Sequence, residues 1–371
     1  MPPLTLLIKP ASGNCNLRCR YCFYNDISEK RMHKSFGIMK DELLEVLVKQ
    51  AFTEGEKSIS FLFQGGEPTL TGLDFYKRFI ALLKEYNVRN LKIHKAIQTN
   101  GMLIDEEWAE FFAKNEFLVG LSLDGDSTIH DTNRIDAEGN GSFNRVMKTA
   151  RLFEKYNVSY NILCVVTKNV AKHIRKIYGF YKKHGFRFLQ FIPCLDPLGD
   201  TRGKEGYSLT PQDYVHFLTN LFDMWYDDLK KGEYVSIRQF DNYINMLRGY
   251  PAESCGMNGV CGSYFTIEAD GSVYPCDFYV LDKWDMGKIG VNTFDEMRKT
   301  EVAKEFIDQS RSVADRCLSC KFYTICRGGC KRDRESGDNG QISLNYFCES
   351  YKSFFEHSLD RMIEIAMQYH H

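Results

Sequence analysis

Three cysteines lie close together near the start of the chain. Cys15, Cys19 and Cys22 have the spacing C-x-x-x-C-x-x-C and follow the apolar run Leu4–Ile8. Three thiolates can hold an iron-sulfur cluster and leave one iron open to a small molecule, whereas four thiolates saturate the cluster. The alternatives are a zinc knuckle or three unrelated thiols, but zinc normally takes a His or a fourth Cys nearby, and the next cysteine is Cys164. The triplet therefore favours a cluster that binds a ligand as well as transferring electrons.

A second group of cysteines lies between residues 255 and 348. Its eight thiols are the number that two clusters with four thiolates each require. Zinc in two tetrahedral four-thiolate sites is the physical competitor, and the spacing does not exclude it. Cys164 and Cys194 are left over and are predicted to be small buried hydrophobic residues. The eight are Cys255, Cys261, Cys276, Cys317, Cys320, Cys326, Cys330 and Cys348.

Two more segments carry residues that suit ligand binding. In Q-G-G-E-P (64–68), Gly66 and its neighbouring glycine let the backbone approach a ligand closely, and Glu67 follows them. Ser122 precedes Asp124, and Arg134 further on offers a charged fork for a carboxylate. An ordinary turn is the alternative for the first segment. An ion pair between Asp124 and Arg134 is the alternative for the second.

The elements that must position these residues alternate between apolar runs and helical patterns, which gives six βα units. Such alternation predicts parallel strands, either in an open doubly wound sheet or in a barrel, with ligands at the carboxyl ends of the strands. Strands are predicted at 4–8, 58–63, 92–98, 118–123, 160–166 and 188–192. Helices are predicted at 40–53, 75–85, 106–113, 143–156 and 174–184.

The rest of the chain has a different pattern. Thr210-Pro211 predicts a helix start, with the helix reaching residue 231, and the aromatics along it are interpreted as packing residues. A second helix is predicted at 238–248 and a β-hairpin at 264–278, around the turn sequence A-D-G-S. A final amphipathic helix is predicted at 351–367.

Composition limits the possible functions of this 371-residue chain. Its 48 Lys and Arg balance 49 Asp and Glu, so no general attraction to nucleic acid or to a membrane surface is expected. No secretory signal and no run of about 18 apolar residues is present. A cytoplasmic protein is therefore expected, and 13 cysteines in a reducing compartment favour metal ligation over disulfides.

Together these motifs resemble the radical S-adenosylmethionine (SAM) enzymes that carry a SPASM extension. The resemblance covers nearly the whole chain and implies an α/β fold: a partial (β/α)6 barrel (1–235), followed by a Cys-rich SPASM domain with a C-terminal helix (236–371). It also implies three 4Fe-4S clusters. Cys15, Cys19 and Cys22 would hold the SAM-binding cluster; Cys255, Cys261, Cys276 and Cys330 the first auxiliary cluster; and Cys317, Cys320, Cys326 and Cys348 the second.

The resemblance also assigns contacts to SAM. G-G-E-P resembles the segment that binds the methionine ammonium, and the S-x-D-G…H-D…R run resembles one in which Ser and Arg contact SAM. The implied SAM-binding residues are Tyr21, Gly66, Glu67, Ser122, Arg134 and Leu195.

Among these enzymes the chain is similar to anaerobic sulfatase-maturating enzymes, which oxidise a Cys or Ser in a C/S-x-P-x-R segment of a sulfatase to Cα-formylglycine. The resemblance implies Asp277 as the proton acceptor. Apolar surroundings are expected to raise the pKa of this carboxyl toward the working pH, and a solvated Asp is the alternative. Gln64, Gln98 and Tyr24 are expected on the substrate side. The implied partners are a sulfatase polypeptide and a flavodoxin- or ferredoxin-like electron donor.

Two other functions compete with this one. Another SPASM peptide modifier, such as a thioether-crosslinking enzyme, is the enzymatic alternative, although many of those carry an N-terminal recognition domain for which no room precedes Cys15. An electron carrier or zinc-stabilised binding protein is the non-catalytic alternative. It leaves the open cluster position and the G-G-E-P turn unexplained.

Overall fold

The computed structural model describes residues 3–262, 264–336 and 341–368. The strands are β1 Leu4–Ile8, β2 Ser58–Phe63, β3 Lys92–Thr99, β4 Leu118–Ser122, β5 Tyr160–Val166, β6 Phe188–Pro193, β7 Ser236–Ile237, β8 Phe265–Ile267, β9 Ser272–Tyr274, β10 Gly287–Lys288, β11 Glu335–Ser336 and β12 Gln341–Ile342. All six strands predicted for the βα units are present as β1 to β6.

Every helix that the sequence predicts is present, and each observed end lies within three residues of the predicted one. They are α1 Phe23–Glu29, α2 Asp41–Glu54, α3 Leu73–Tyr86, α4 Glu106–Lys114, α5 Ser127–Asn133, α6 Phe143–Lys155, α7 Lys168–Lys172, α8 Ile174–Lys183, α9 Pro211–Lys230, α10 Arg238–Leu247, α11 Phe294–Lys299, α12 Glu301–Arg311, α13 Asp315–Leu318, α14 Tyr323–Cys326, α15 Lys331–Arg334 and α16 Cys348–Gln368. Within the described residues, no helix is both long and apolar enough to span a membrane.

The chain forms two compact units. Unit 1 comprises Met1–Leu123, Asp131–Tyr160 and Ser263–Phe306, and unit 2 comprises Asp124–His130, Asn161–Gly262 and Ile307–His371. The predicted hairpin lies within the range 236–371 but belongs to unit 1. The two compact units are discontinuous in sequence and do not test the predicted domain boundary between residues 235 and 236, which stays a prediction.

The sheet of unit 1 carries the loops that form the candidate site. Strands β1 to β4 pair in parallel and in sequence order, with Leu6 opposite Phe61 between β1 and β2. On the other side of β1, β8 pairs in parallel, and the hairpin continues antiparallel through β9 to β10. Since the hairpin borders β1, Asp277, just after β9, is brought to the strand that precedes the three-cysteine loop.

Aromatic side chains form much of the core of unit 1. Phe61 and Phe63 point from β2 toward the amphipathic helix α3, where Phe79 lies 5.2 and 4.9 Å from their ring centroids. All three are fully or almost fully buried. Edge-to-face contacts of this kind add to the stabilisation that burial provides.

In unit 2, β5, β6 and β7 pair in parallel, and helix α9 packs beside them. Thr210 and Asp213 form a capping box at its start, which confirms the predicted start. Its aromatics are packing residues, as predicted: Phe217 lies 5.3 Å from Phe191 of β6, and Phe222 lies 5.8 Å from Phe354 of α16.

Candidate active site

The three-cysteine loop connects β1 to α1 in unit 1. The backbone N–H of Leu17 donates to Cys15 Sγ at 3.4 Å, and the side-chain amide of Asn100 donates to the same sulfur at 3.7 Å. Burial, with smaller contributions from the Glu67 carboxylate and the thiols of Cys19 and Cys22, raises the pKa of the Cys15 thiol to about 12. A thiolate here therefore needs a cation, which the iron of a cluster would supply, and the two N–H donors suit a cluster ligand.

The two glycines of the G-G-E-P turn face different neighbours. A Cβ on Gly66, whose φ is +50°, would lie 2.1 Å from the carbonyl oxygen of Asn14, just before Cys15. A Cβ on Gly65, whose φ is +96°, would lie 2.7 Å from Cγ of Lys9. Only glycine allows this turn to fit against both the cluster loop and Lys9.

Glu67 is buried, and its carboxylate accepts four hydrogen bonds from the protein. Three come from the N–H and hydroxyl of Thr69 and from the hydroxyl of Thr99, at 3.1, 2.6 and 2.7 Å. The fourth comes from the N–H of Asn100 at 2.7 Å. Burial raises the pKa of Glu67, and these bonds oppose that rise. The side chain thus joins the turn to the end of β3, and its predicted contact with a cofactor stays a prediction.

The predicted residues Tyr21 and Arg134 lie together. The Arg134 guanidinium is 5.5 Å from the centroid of the Tyr21 ring. The two segments are held by backbone hydrogen bonds from Arg20 N to Asn133 O at 3.0 Å and from Arg18 N to Ile135 O at 2.6 Å. Both side chains are buried, as is Ser122 at the end of β4 in the same unit.

Asp277 lies in a buried polar site of unit 1. Its carboxylate forms an ion pair with Lys9, whose side chain is completely buried, and accepts a hydrogen bond from the Gln64 amide. Asp277 is 5% exposed, which rules out the solvated alternative. The expected apolar surroundings are wrong, because a buried ammonium and an amide contact the carboxylate. Gln64 acts here as a partner of Asp277.

A second buried ion pair lies beside the first. The Lys9 ammonium is 3.6 Å from the centroid of the Tyr24 ring, and the Tyr24 hydroxyl donates to Glu268. Arg31 donates to the same Glu268 oxygen at 2.7 Å. Burial, with the Glu268 charge, raises the pKa of Tyr24 well above its usual value, so the phenol stays neutral. Tyr24 therefore separates two buried ion pairs.

Helix α1 places Asp277 close to the three-cysteine loop. Cys22 immediately precedes α1, and Phe23 at its start packs edge-to-face on Phe278, with ring centroids 4.9 Å apart. Lys9 and Asn100 are site residues that the sequence analysis missed. Their available signals were a lysine at the end of an apolar strand and a polar residue directly after β3.

The C-terminal cysteines fall into groups within unit 2. Burial raises the pKa of Cys326, and the nearby thiols of Cys348, Cys317 and Cys320 raise it further. Burial likewise raises the pKa of Cys261, which also has Cys255 as a neighbour. Gly256 lies against Cys330: a Cβ there would be 3.5 Å from that residue's Cβ.

The remaining predicted residues lie in both units. Cys276 belongs to unit 1, where the Tyr264 hydroxyl is 3.6 Å from its sulfur. Leu195 follows β6 in unit 2, and Gln98 lies on β3. Cys164 and Cys194 are buried, as predicted, and burial raises the pKa of Cys194. Among the described residues, no three His, Cys, Asp or Glu side chains are arranged to hold a single metal ion.

Comparison with known proteins identifies the family. The model of the radical SAM superfamily matches residues 10–180, and that of SPASM, an iron-sulfur cluster-binding domain, matches residues 255–321. The cysteine-type anaerobic sulfatase-maturating enzyme of Clostridium perfringens is 53% identical over 366 residues, which are 99% of this chain and 99% of that enzyme. The chain belongs to the anaerobic sulfatase-maturating enzyme family.

A more distant relative and a solved structure also match the chain. The serine-type anaerobic sulfatase-maturating enzyme of Bacteroides thetaiotaomicron is 32% identical over 96% of this chain and 89% of its own length. The solved structure of native anSMEcpe with bound AdoMet and Cp18Cys peptide is 51% identical, with a TM-score of 0.95 over 99% of both chains. The predicted radical SAM and SPASM fold is confirmed, and both family models describe iron-sulfur or radical SAM proteins, which favours iron over zinc.

Proposed function

We propose that this member of the family oxidises a cysteine in a C-x-P-x-R segment of a sulfatase to Cα-formylglycine. The buried Asp277 carboxylate, held by Lys9 and Gln64 next to the three-cysteine loop, is the observation that carries the proposal. Cysteine is favoured over serine because the chain is 53% identical to a cysteine-type enzyme and 32% identical to a serine-type enzyme. The anSMEcpe structures with bound Cys peptides support a peptide substrate.

The proposal keeps the ligand sets implied by the sequence. Cys15, Cys19 and Cys22 would hold the SAM-binding cluster, and the eight later cysteines would hold two auxiliary clusters. SAM bound at the first cluster would supply the 5′-deoxyadenosyl radical, and the auxiliary clusters would accept one electron. SAM itself would contact Tyr21, Gly66, Glu67, Ser122, Arg134 and Leu195.

Formation of the aldehyde requires a two-electron oxidation of the substrate cysteine. The substrate cysteine loses a hydrogen atom from Cβ to the deoxyadenosyl radical, a proton from its thiol to Asp277, and one electron. A C=S bond then replaces the C–S single bond, and SAM has become methionine and 5′-deoxyadenosine at the cost of one electron from a donor. Water adds to the thioaldehyde, sulfide leaves, and the aldehyde of formylglycine remains.

The residues of this chain would serve that change by charge and position. Asp277 accepts the thiol proton, which requires a carboxylate within hydrogen-bonding reach of the substrate sulfur. Lys9 compensates the charge of that carboxylate in an almost completely buried site. Gln64 fixes its second oxygen, so the carboxylate has one defined orientation.

The cellular setting follows from the same chemistry. The electron for SAM cleavage would come from a flavodoxin- or ferredoxin-like donor, and oxygen-labile clusters would suit an anaerobic cytoplasm.

The domain ranges stay as the sequence implies them: the partial barrel would occupy residues 1–235 and the SPASM domain residues 236–371.

The test is an anaerobic assay with reconstituted protein. Iron is counted, and SAM, a reductant and a short C-x-P-x-R peptide are added. 5′-Deoxyadenosine and peptide mass are then followed. About twelve irons, an aldehyde peptide, and loss of both products on replacing Cys15, Cys19 and Cys22 by Ala are expected. Deoxyadenosine formation without any peptide change would contradict the proposed substrate.

A further inference from the structure

A buried basic run follows the auxiliary-cluster cysteine Cys330 directly. Helix α15, Lys331–Arg334, has all four side chains buried. Its one acidic residue, Asp333, forms an ion pair with Arg202 at 3.0 Å. That pair is neutral, so the run contributes positive charge to the interior of unit 2.

Arg334, the last residue of this run, is buried among backbone carbonyl groups. It is 1% exposed, and its guanidinium donates to the backbone carbonyls of Ser312, Ser310 and Gly259 at 2.6, 2.8 and 3.1 Å. Within the part of the chain that the structure describes, no carboxylate pairs with it, and its Nε has no acceptor. Burying a charge costs free energy unless an opposite charge compensates it.

The surroundings of Arg334 belong to segments that carry cluster cysteines. Gly259 lies two residues before Cys261, and Gly328 lies between Cys326 and Cys330. A Cβ on Gly328 would be 3.8 Å from Nη1 of Arg334. The N–H of Cys261 donates to the hydroxyl of Ser310, whose carbonyl binds Arg334. Arg334 therefore lies between segments assigned to both auxiliary clusters.

These segments carry ligands of both auxiliary clusters. The N–H of Cys261, a ligand assigned to the first cluster, donates to Ser310, whose carbonyl accepts from Arg334. Gly328, against the Arg334 guanidinium, lies two residues after Cys326, which is assigned to the second cluster.

We propose that Arg334 is a buried counter-charge shared by the two auxiliary clusters and that it raises their reduction potentials. The inference rests on the ligand sets of the proposed function. A cluster bound by four thiolates is an anion and becomes more negative on reduction. A fixed cation in a buried site therefore stabilises the reduced form more than the oxidised form. This makes the clusters better acceptors of the electron that leaves the substrate.

The experiment is an anaerobic redox titration of the full-length, reconstituted protein, followed by electron paramagnetic resonance. Adding SAM identifies the signal of the SAM-binding cluster, because that signal changes and those of the auxiliary clusters do not. The variants are R334Q and R334M, which are neutral, and R334K, which keeps the charge. R311Q is the matched control, since Arg311 is an exposed arginine of the same unit.

We expect both neutral variants to lower the ratio of reduced to oxidised auxiliary cluster about tenfold at a fixed potential, equivalent to about 59 mV for a one-electron couple. R334K and R311Q should titrate like the wild type. Loaded neutral variants with wild-type midpoints would overturn the inference, as would R334K shifting as far as R334Q.

Iron content separates this inference from the proposed function. Iron for only one cluster in the wild type would overturn the assignment of the eight cysteines. If the neutral variants fail to load iron while R334K loads normally, a counter-charge role is supported. If all three variants fail to load, Arg334 is required for folding through its hydrogen bonds and the inference is overturned.

Discussion

Lys9 and Asp277 form a buried ion pair that joins the end of β1 to the residue after Cys276. The pair also depends on Gly65, because a side chain at that residue would collide with Lys9. The G-G-E-P turn thus fits the cluster loop through Gly66 and the Asp277 site through Gly65. Changes at these positions should separate binding of the cofactor from oxidation of the peptide.

Replacing Asp277 by Asn should stop peptide oxidation while leaving SAM cleavage. The amide cannot accept the substrate proton, and a general base contributes about 10² to 10⁴-fold to a rate. Formylglycine formation should fall by that factor, measured by peptide mass against 5′-deoxyadenosine in the same reaction. Asp282→Asn, in the same segment, is the control and should retain activity. Normal formylglycine formation by D277N with its clusters intact would show that Asp277 is not the base.

Replacing Lys9 by Met should destabilise the protein by about 3–5 kcal/mol, because it leaves the buried Asp277 carboxylate without a compensating charge. Denaturant unfolding measures this. The double variant K9M/D277N should be more stable than K9M alone, since neither charge then remains buried by itself. A double variant that is less stable than K9M would mean that Lys9 acts through packing on Tyr24. Deoxyadenosine formed per peptide oxidised should also rise in K9M.

Much of the fold followed from the sequence because its signals are local. The bounds of β1, β2 and β5 match the predicted ranges, since each is a short apolar run bounded by polar or turn residues. The short helix α1 was missed because it follows the cysteine loop directly, where cluster ligation and not periodicity defines the chain path. The pairing of β8 with β1 was also missed, because strand neighbours far apart in sequence leave no local signal.

The site was predictable where residue types define the chemistry and unpredictable where burial does. Cysteine spacing marks cluster ligands, and two glycines mark a close approach. Lys9 looks like an ordinary surface lysine in the sequence, and only the pairing of β1 with β8 places it beside Asp277. The contact of Glu67 with the cofactor stays a prediction, and its four protein donors come from segments that carry no local sequence signal for this contact. Sequence indicates which groups are present, and long-range packing decides which of them meet.

Replacing Gly66 by Ala should weaken SAM binding and cluster retention. The new Cβ would lie 2.1 Å from the Asn14 carbonyl oxygen and would displace the loop that carries Cys15. Gly72→Ala is a matched control, because Gly72 also has a positive φ, +81°, but nothing lies within 4 Å of its Cβ position. Both variants carry the backbone strain, so a difference between them measures the collision. Equal iron content and SAM affinity in the two would argue against a role for this close approach.

Replacing Glu67 by Gln should destabilise unit 1 and weaken SAM binding together. The carboxylate now accepts hydrogen bonds from four donors, and a glutamine side chain must direct its NH2 group toward at least one of them. Each buried donor left without an acceptor lowers the free energy of unfolding by about 1–3 kcal/mol. Denaturant unfolding and SAM titration measure the two effects. Glu42→Gln on the exposed side of α2 is the control and should change neither. If E67Q bound SAM more weakly with unchanged stability, the carboxylate would contact the cofactor directly; if both fell, it would act by holding the turn to β3.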